Sequence, residues 1–443
     1  MLFKLFNTRF LGAGYGLFAS QDIEPSYPLF TIPAKALLNS LTLEPLYPQS
    51  QNLSCTQIIT LHLSLNRPVN HVSADVHFGP YISVLPENFD AHPFTWIWKA
   101  KHHSKPGNDL ELGLLKSLPP RITQKLEQMC TTCGKDKAAI EEYMVLFYCL
   151  LFELRQPLDI SAELSSRAKN IHAQLLLRRL LMGLVKWYIF EHIAWLNQLE
   201  RILSNFANHA LEVPTVYPQP TRGEIWNTGP STKRKYGEDF TLLAPSTQAT
   251  KPQDELYLKY GSHSNSTLFT EYGFVLARTD SEIEVVDLVE DLFEKRGAVG
   301  TWMKEVLTGE GYWGDWTLHL SPEPAHPSYR LITALRLYHC VPVEFVAECD
   351  DLERFIQEWR NVIYGVAMAV SDENERLWKI TLGQICQTMI LNSQKGADHI
   401  RLLREEGAMS LPAGVLFCIE TLWEEENEVG KAVIKSLDNN VEF

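Results

Sequence analysis

The chain has 443 residues, a formal net charge of −14, and 45% hydrophobic and 21% charged residues. This length admits two or three domains with a sizeable core. The acidic balance argues against a duplex-DNA or RNA binder, which carries a basic face, and suits attraction to basic, Lys-rich proteins.

The opening residues, MLFKLFNTRF, are interrupted by Lys4, Asn7 and Arg9 too early for the apolar core of a secretory signal. Residues 12–38 predict short strands. Phe18-Ala19 follows the Gly-rich turn Gly12-Ala-Gly14-Tyr15-Gly16, and Leu29-Phe30-Thr31-Ile32-Pro33 is an apolar run closed by proline. Residues 50–205 predict mostly helix. Ile58, Leu61 and Leu65 share one face, and 172–204 is amphipathic with Arg178, Arg179 and Lys186 on its polar side. A loop with Pro80-Tyr81, Leu85-Pro86 and Pro93 lies between them. The longest apolar run, Met144 to Phe152, is too short to span a bilayer, so no membrane association is expected.

Eight cysteines are scattered without a disulfide framework. Cys130-Thr-Thr-Cys133 has the spacing of half a zinc site, but no second pair follows, and no metal is expected. Residues 212–254 are rich in Pro, Thr, Gly and Lys and predict a loop region, with Lys233-Arg234-Lys235 as a solvated tip. From about 281 onward the pattern is helical, through Val285, Val286, Val289, Leu292 and Phe293, then Leu331 to Tyr338, then Phe355 to Val370. Arg278-Thr-Asp-Ser-Glu282 supplies a polar boundary before it. An intracellular protein, cytoplasmic or nuclear, is expected.

The densest signal is Tyr257-Leu-Lys-Tyr260-Gly261-Ser-His-Ser-Asn265-Ser-Thr-Leu268-Phe-Thr-Glu271-Tyr272-Gly273-Phe274, which holds two Tyr-Gly pairs. Upstream stands Asn208-His209. Gly12-x-Gly14-x-Gly16 is not a dinucleotide fingerprint, since the Gly spacing differs and no parallel βαβ unit follows. The order of these segments, however, resembles the SET-domain protein methyltransferases, in their Rubisco large-subunit methyltransferase-like branch. Ala13 to Ala19 is similar to the first motif, and Ile32-Pro33 through Ser40 to the strand after it. Pro80-Tyr81, Leu85-Pro86 and Trp96 resemble part of the helical insert, and Phe206-Ala207-Asn208-His209 the Asn-His motif. Tyr260-Gly261-x-x-x-Asn265 with Glu271-Tyr272-Gly273-Phe274 resembles the last catalytic motif.

The resemblance implies an α+β fold. Residues 1–278 would form a SET domain of short β-sheets, with a large helical insert at about 50–205. Residues 279–443 would form an all-helical C-terminal substrate-binding domain. It implies S-adenosylmethionine as cofactor and methyl transfer by direct in-line displacement to a lysine of a non-histone protein. Asn208 and His209 would hold the cofactor. Gly14, Tyr15, Gly16 and Leu17 would line its pocket, with Phe274 near the adenine. The catalytic pair would be Tyr260, orienting the amine, and Tyr272, lining the channel or touching the cofactor. The lysine must attack as a neutral amine, a form disfavoured by roughly 4–5 kcal/mol near pH 7, and a narrow apolar channel recovers part of that.

Three departures from the family pattern stand out. Asn205 occupies a position where the family often has Asp. No Arg stands at a convincing position ahead of Asn208, Arg201 being too close, and the junction at 197–202 looks shortened. The connector from His209 to Tyr260 is long. These features support an alternative, a weak or inactive SET scaffold that binds proteins. Histidine methylation is a second alternative. No Cys-rich cluster follows Phe274, which favours non-histone acceptors.

Overall fold

The computed structural model describes residues 5–10, 14–85, 89–102, 109–153, 207–211, 213, 215–220, 239–277, 282–342, 355–405 and 413–443. The chain divides into two compact units. One comprises Met1–Ser104 with Glu127–His263, the other Lys105–Leu126 with Ser264–Phe443.

The first unit carries a sheet of six described strands: β1 (Leu5–Phe10), β2 (Gly14–Ala19), β3 (Pro28–Ile32), β4 (Thr215–Pro220), β5 (Phe240–Leu243) and β6 (Glu255–Leu258), in spatial order β1-β2-β6-β4-β5-β3. All neighbours are antiparallel except β4 and β6, which run parallel with Val216 opposite Leu258. β6 shows why it is a strand. Leu256 and Leu258 are buried while Glu255 and Tyr257, on the opposite face, are half-buried.

β2 and β3 fall where the sequence predicts strands. β1, β4 and β5 do not. β1 is paired along its whole length with β2, from Leu5 opposite Ala19 to Phe10 opposite Gly14, so pairing rather than its own pattern makes it a strand. β4 carries Pro218 and Pro220, which lack donors and read as loop from sequence alone.

Helices pack with this sheet's unit: α1 (Ser40–Leu43), α2 (Cys55–Leu65), α3 (Gly79–Ile82) and α4 (Pro93–His102). α1 and α2 each begin with a capping box. Asn39 accepts from the Thr42 N–H, and Ser54 accepts from the Gln57 N–H, with both N3 side chains answering. Leu43, Ile58, Leu61, Ile82 and Leu85 form a core with Ile140 and Met144.

The second unit contains α5 (Asp109–Ser117) and the opening turns of α6 (Pro120–Glu153). After residue 282 come α7 (Val286–Glu294), α8 (Ala298–Gly309), α9 (Tyr329–Tyr338), α10 (Gln357–Ile363), α11 (Asp372–Glu405) and α12 (Ala413–Asp438). α11 and α12 pack as a long pair, with Gly430 against Ile390 and Gly396 beneath the Trp423 ring. This unit is helical as expected but not all-helical. β7 (Glu282–Glu284), β8 (Thr317–His319) and β9 (His326–Pro327) form a small antiparallel sheet. Strands of two and three residues are too short to show a period in sequence.

The unit division at His263/Ser264 precedes the expected boundary at 278–282, and residues 105–126 group with the later unit. Buried Asn265 supplies the physical reason. Its amide accepts from the Leu276 N–H (2.7 Å) and donates to the Leu276 carbonyl (2.8 Å) and to Glu425 Oε1 (2.7 Å) on α12. Among the described residues, no helix is long and apolar enough to cross a membrane.

Candidate functional site

β6 organises the first unit's candidate residues. Leu256 pairs with Leu17 of β2. Leu258, two residues on and aimed at the same edge, instead donates its N–H to the Asn208 carbonyl (2.9 Å) and accepts from the Ala210 N–H (3.3 Å). His209 thus forms a parallel bridge to Leu258, in the place β2 would occupy had it continued. β2 diverges here. Its ladder to β6 covers Leu17 and Phe18, while Gly14, Tyr15 and Gly16 pair with β1 on the other side.

His209 is buried and stacks on the Tyr260 ring, with centroids 5.0 Å apart. The Tyr260 N–H donates to His209 Nδ1 at 3.1 Å. That donor can only meet a lone pair, so Nδ1 is unprotonated and the neutral ring carries its proton on Nε2. The Leu258 carbonyl lies 3.3 Å from the same Nδ1, a longer contact that the shorter bond outweighs. Burial lowers the His209 pKa, so the neutral ring is its form at neutral pH.

Tyr260 is buried, and its hydroxyl donates to the Ala207 carbonyl at 2.9 Å. Its proton therefore holds the start of the Asn-His segment. Gly261 follows with φ +148°, and His263 Nε2 folds back to 3.2 Å from the Tyr260 carbonyl. Glycine is what permits that turn.

Asn208 is half-buried and donates Nδ2–H to Glu255 Oε1 at 2.6 Å. The Tyr257 hydroxyl donates to Glu255 Oε2 at 2.8 Å. Gly16 borders the same carboxylate, since a Cβ there would stand 2.9 Å from Glu255 Oε1. Leu17 is buried. For Gly14 and Tyr15 the strand backbone is described.

In the second unit, Ser264 caps a short helical turn, Asn265–Thr267, that widens into a π-helical turn, Leu268–Tyr272. Such turns re-aim side chains and recur at functional sites. Gly273, at φ +78°, ends it. The Asn265–Leu276 bonds close a loop in which Tyr272 and Phe274, both half-buried, meet edge-on with centroids 6.0 Å apart. Burial pushes the Glu271 carboxyl up to about 7, with Lys125 opposing the shift.

The structure thus joins Asn208, His209, Tyr260, Gly16 and Leu17 around β6, and separately Tyr272 with Phe274. Their hydrogen bonds run to one another, to the backbone and to the Glu255 carboxylate. Comparison with known proteins shows what the chain is similar to. Ribosomal lysine N-methyltransferase set11 of Schizosaccharomyces pombe is 22% identical over 417 residues, which cover 93% of this chain and 88% of that protein. Human SET domain-containing protein 4 is 26% identical over 195 residues, 43% of this chain and 40% of that one. The chain is a relative of the SET-domain lysine methyltransferases.

The likeness in fold to solved SET-domain structures is broad. The solved SET domain of LSMT bound to lysine and AdoHcy superposes with a TM-score of 0.60 at 14% identity, covering 99% of this chain and 87% of that one. Rubisco LSMT bound to AdoMet gives 0.58 at 14% identity, with 99% and 88% covered. No family model matches the chain.

Sequence reasoning gave no role to Ala207, Glu255 or Tyr257, or to the amide of Asn265. The signal for Glu255 and Tyr257 was present as two polar residues sharing one face of a strand that leads into Tyr260. Asn205, Arg201, the 197–202 junction, Phe206, Gly12, Ala13, Pro86, the 172–204 helix, the boundary residues Arg278 to Ser281 and Lys233-Arg234-Lys235 lie outside the described residues. Cys130 and Cys133 are free and buried, and burial pushes the Cys130 thiol up to about 11.

Proposed function

We propose that this protein transfers a methyl group from S-adenosylmethionine to a lysine side chain of a basic, non-histone protein. The observation that carries this reading is the Asn208–His209 segment inserted on the β6 edge that β2 leaves, with Tyr260 stacked beneath it. Asn208, His209 and the Gly14–Leu17 strand would hold the cofactor. When bound, the cofactor supplies a methyl group on an electrophilic sulfonium.

The chain's own contribution is positioning. Tyr260 is a positioning residue, since its hydroxyl and N–H fix Ala207 and His209. The tyrosine that orients the acceptor amine is then Tyr272, held by the π turn and by Asn265. Its hydroxyl would accept from the neutral amine and align it, and the apolar surroundings would disfavour the charged lysine. Phe274 would cover an aromatic ring of the cofactor.

Two relatives support the acceptor class by their names. One is set11. The other is Ribosomal lysine N-methyltransferase 2 of Saccharomyces cerevisiae, 36% identical over 104 residues, 22% of this chain and 19% of that protein. We propose a lysine-rich ribosomal protein, met in the cytoplasm or nucleus, with no nucleic acid bound directly. The net charge of −14 favours such a partner. Isothermal titration of the full chain with S-adenosylhomocysteine tests the first step. Saturable one-to-one binding is expected, and no heat from a folded sample would refute the proposal.

A further inference from the structure

The helical unit carries a groove of about 770 Å³ lined by α7, α8 and Trp313 of the loop that follows. Gly300 lets the two helices approach here, since a Cβ at that position would collide with the Phe293 carbonyl. Trp313 is half-buried. Its ring meets Phe293 at 5.4 Å and 68° and Trp316 at 4.8 Å and 76°, so two neighbours fix its plane. The Lys304 ammonium lies over that ring, 4.7 Å from the centroid. Glu290, Glu294 and Glu305 line the same groove, and Glu294 and Glu305 are exposed. Among the described residues none of the three makes an ion pair, with Lys304 or with any other cation. The groove thus joins an aromatic face that already holds an ammonium group to an excess of carboxylate over cation.

We propose that this groove docks a basic segment of a partner protein, a lysine or arginine of the segment taking the place of Lys304 on the Trp313 ring. That the partner is the methyl acceptor rests on the functional reading above; the chemistry of the groove does not. An entering cation meets the ring and all three carboxylates together. The displaced Lys304 returns to water on its flexible stem, and its own charge leaves the groove. The ring is held before the partner arrives, so little ordering is needed on binding. An acidic segment would meet like charge, and an apolar one would desolvate carboxylates without pairing them. The volume is that of an ordinary ligand site, with room for long side chains.

The test uses the full chain, a fluorescein-labelled octalysine peptide read by anisotropy at low ionic strength, and methyl transfer to ribosomal protein. The double variant Glu294→Gln, Glu305→Gln is set against Glu424→Gln, Glu428→Gln, which removes the same charge from exposed positions on α12. Lys304→Ala is set against Lys431→Ala, an exposed lysine of the same helix. The groove pair should weaken peptide binding about fivefold while the α12 pair stays within about twofold of wild type. Lys304→Ala should tighten binding about threefold, because the ring is vacated and a positive charge removed, and Lys431→Ala should tighten it less. The apparent KM for ribosomal protein should rise with the peptide Kd in the groove pair at unchanged kcat. Equal weakening by the two glutamate pairs would assign binding to overall charge and overturn the inference. Weaker binding in Lys304→Ala would overturn it too, since the lysine would then be part of the site rather than its placeholder. Groove-dependent peptide binding at an unchanged KM would remove the acceptor as the partner. Groove-dependent binding by a wild type that transfers no methyl would sink the functional reading and leave the docking site standing.

Discussion

Two buried polar sites, one in each unit, solve the same problem in opposite ways. Around β6, His209 and Tyr260 are neutral, and their bonds run to each other and to the backbone at Ala207. In the helical unit, charge itself is buried. Arg121 Nε meets Glu426 Oε1 at 2.6 Å with both side chains nearly inaccessible, and Asp287 lies nearby, while the Lys125–Glu284 pair at 2.7 Å is partly exposed. Burial raises the pKa of Glu426, Asp287 and Glu271 and lowers that of His209. The difference teaches where pH acts. A carboxylate raised by folding gives stability that is lost as pH climbs, and a histidine lowered by folding gives stability that is lost as pH falls.

The strongest way to break this contrast is at the ion pair. Arg121→Ala leaves Glu426 buried without its partner and should cost about 3–5 kcal/mol, read by denaturant unfolding. The double variant Arg121→Met, Glu426→Leu should recover most of that loss, because no charge is then stranded. Equal destabilisation by both variants would show that packing, not charge, dominates there.

The next effect belongs to Glu271. Its ordinary value is 4.5 and its folded value about 7. Its contribution is fully present below pH 4.5 and is lost as pH rises through about 7, a swing on the order of 3 kcal/mol. Glu271→Gln should remove that part of the pH dependence, so the stability difference between variant and wild type should widen from pH 5 to pH 8 in the variant's favour. Parallel curves would contradict it.

The neutral site should respond less in energy and more in binding. Tyr260→Phe leaves the Ala207 carbonyl without its donor and should cost about 1–3 kcal/mol by thermal or denaturant unfolding. S-adenosylhomocysteine affinity should fall with it. For His209, stability is present above its ordinary value of 6.5 and lost as pH falls through its lowered folded value. S-adenosylhomocysteine binding should therefore weaken as pH falls below 6.5 and through that lowered value. Protonation of Nδ1 breaks the bond from Tyr260. Binding unchanged across that range would show that the ring's acceptor role is dispensable.

Much of this was legible in the sequence, for identifiable reasons. The Tyr-Gly pairs could be read because two such pairs stand in one short window, and both glycines take a positive φ. Asn208-His209 could be read because order along the chain carried the resemblance. The role of Tyr260 could not, because nothing local reveals that its hydroxyl meets a carbonyl 53 residues earlier. Glu255 was hidden likewise, its partners coming from β6 itself and from the distant Asn208. β4 was obscured by its prolines, and the β7–β9 sheet by its brevity. The boundary shifted because Asn265 ties the last motif to Glu425, a contact across 160 residues that no composition shift announces.

Under the proposed function, lysine is methylated at a site where Tyr272 meets the amine and Tyr260 holds the structure. The direct measurement is incorporation of tritiated methyl from S-adenosylmethionine into ribosomal protein, followed by acid hydrolysis and amino-acid separation, with wild type, Tyr272→Phe and Tyr260→Phe compared. Label is expected in methyl-lysine from wild type, with a rate reduced about a hundredfold in Tyr272→Phe at unchanged S-adenosylhomocysteine affinity. Tyr260→Phe should lose affinity in step with stability. No label, label in methyl-histidine, or full activity in Tyr272→Phe would contradict it.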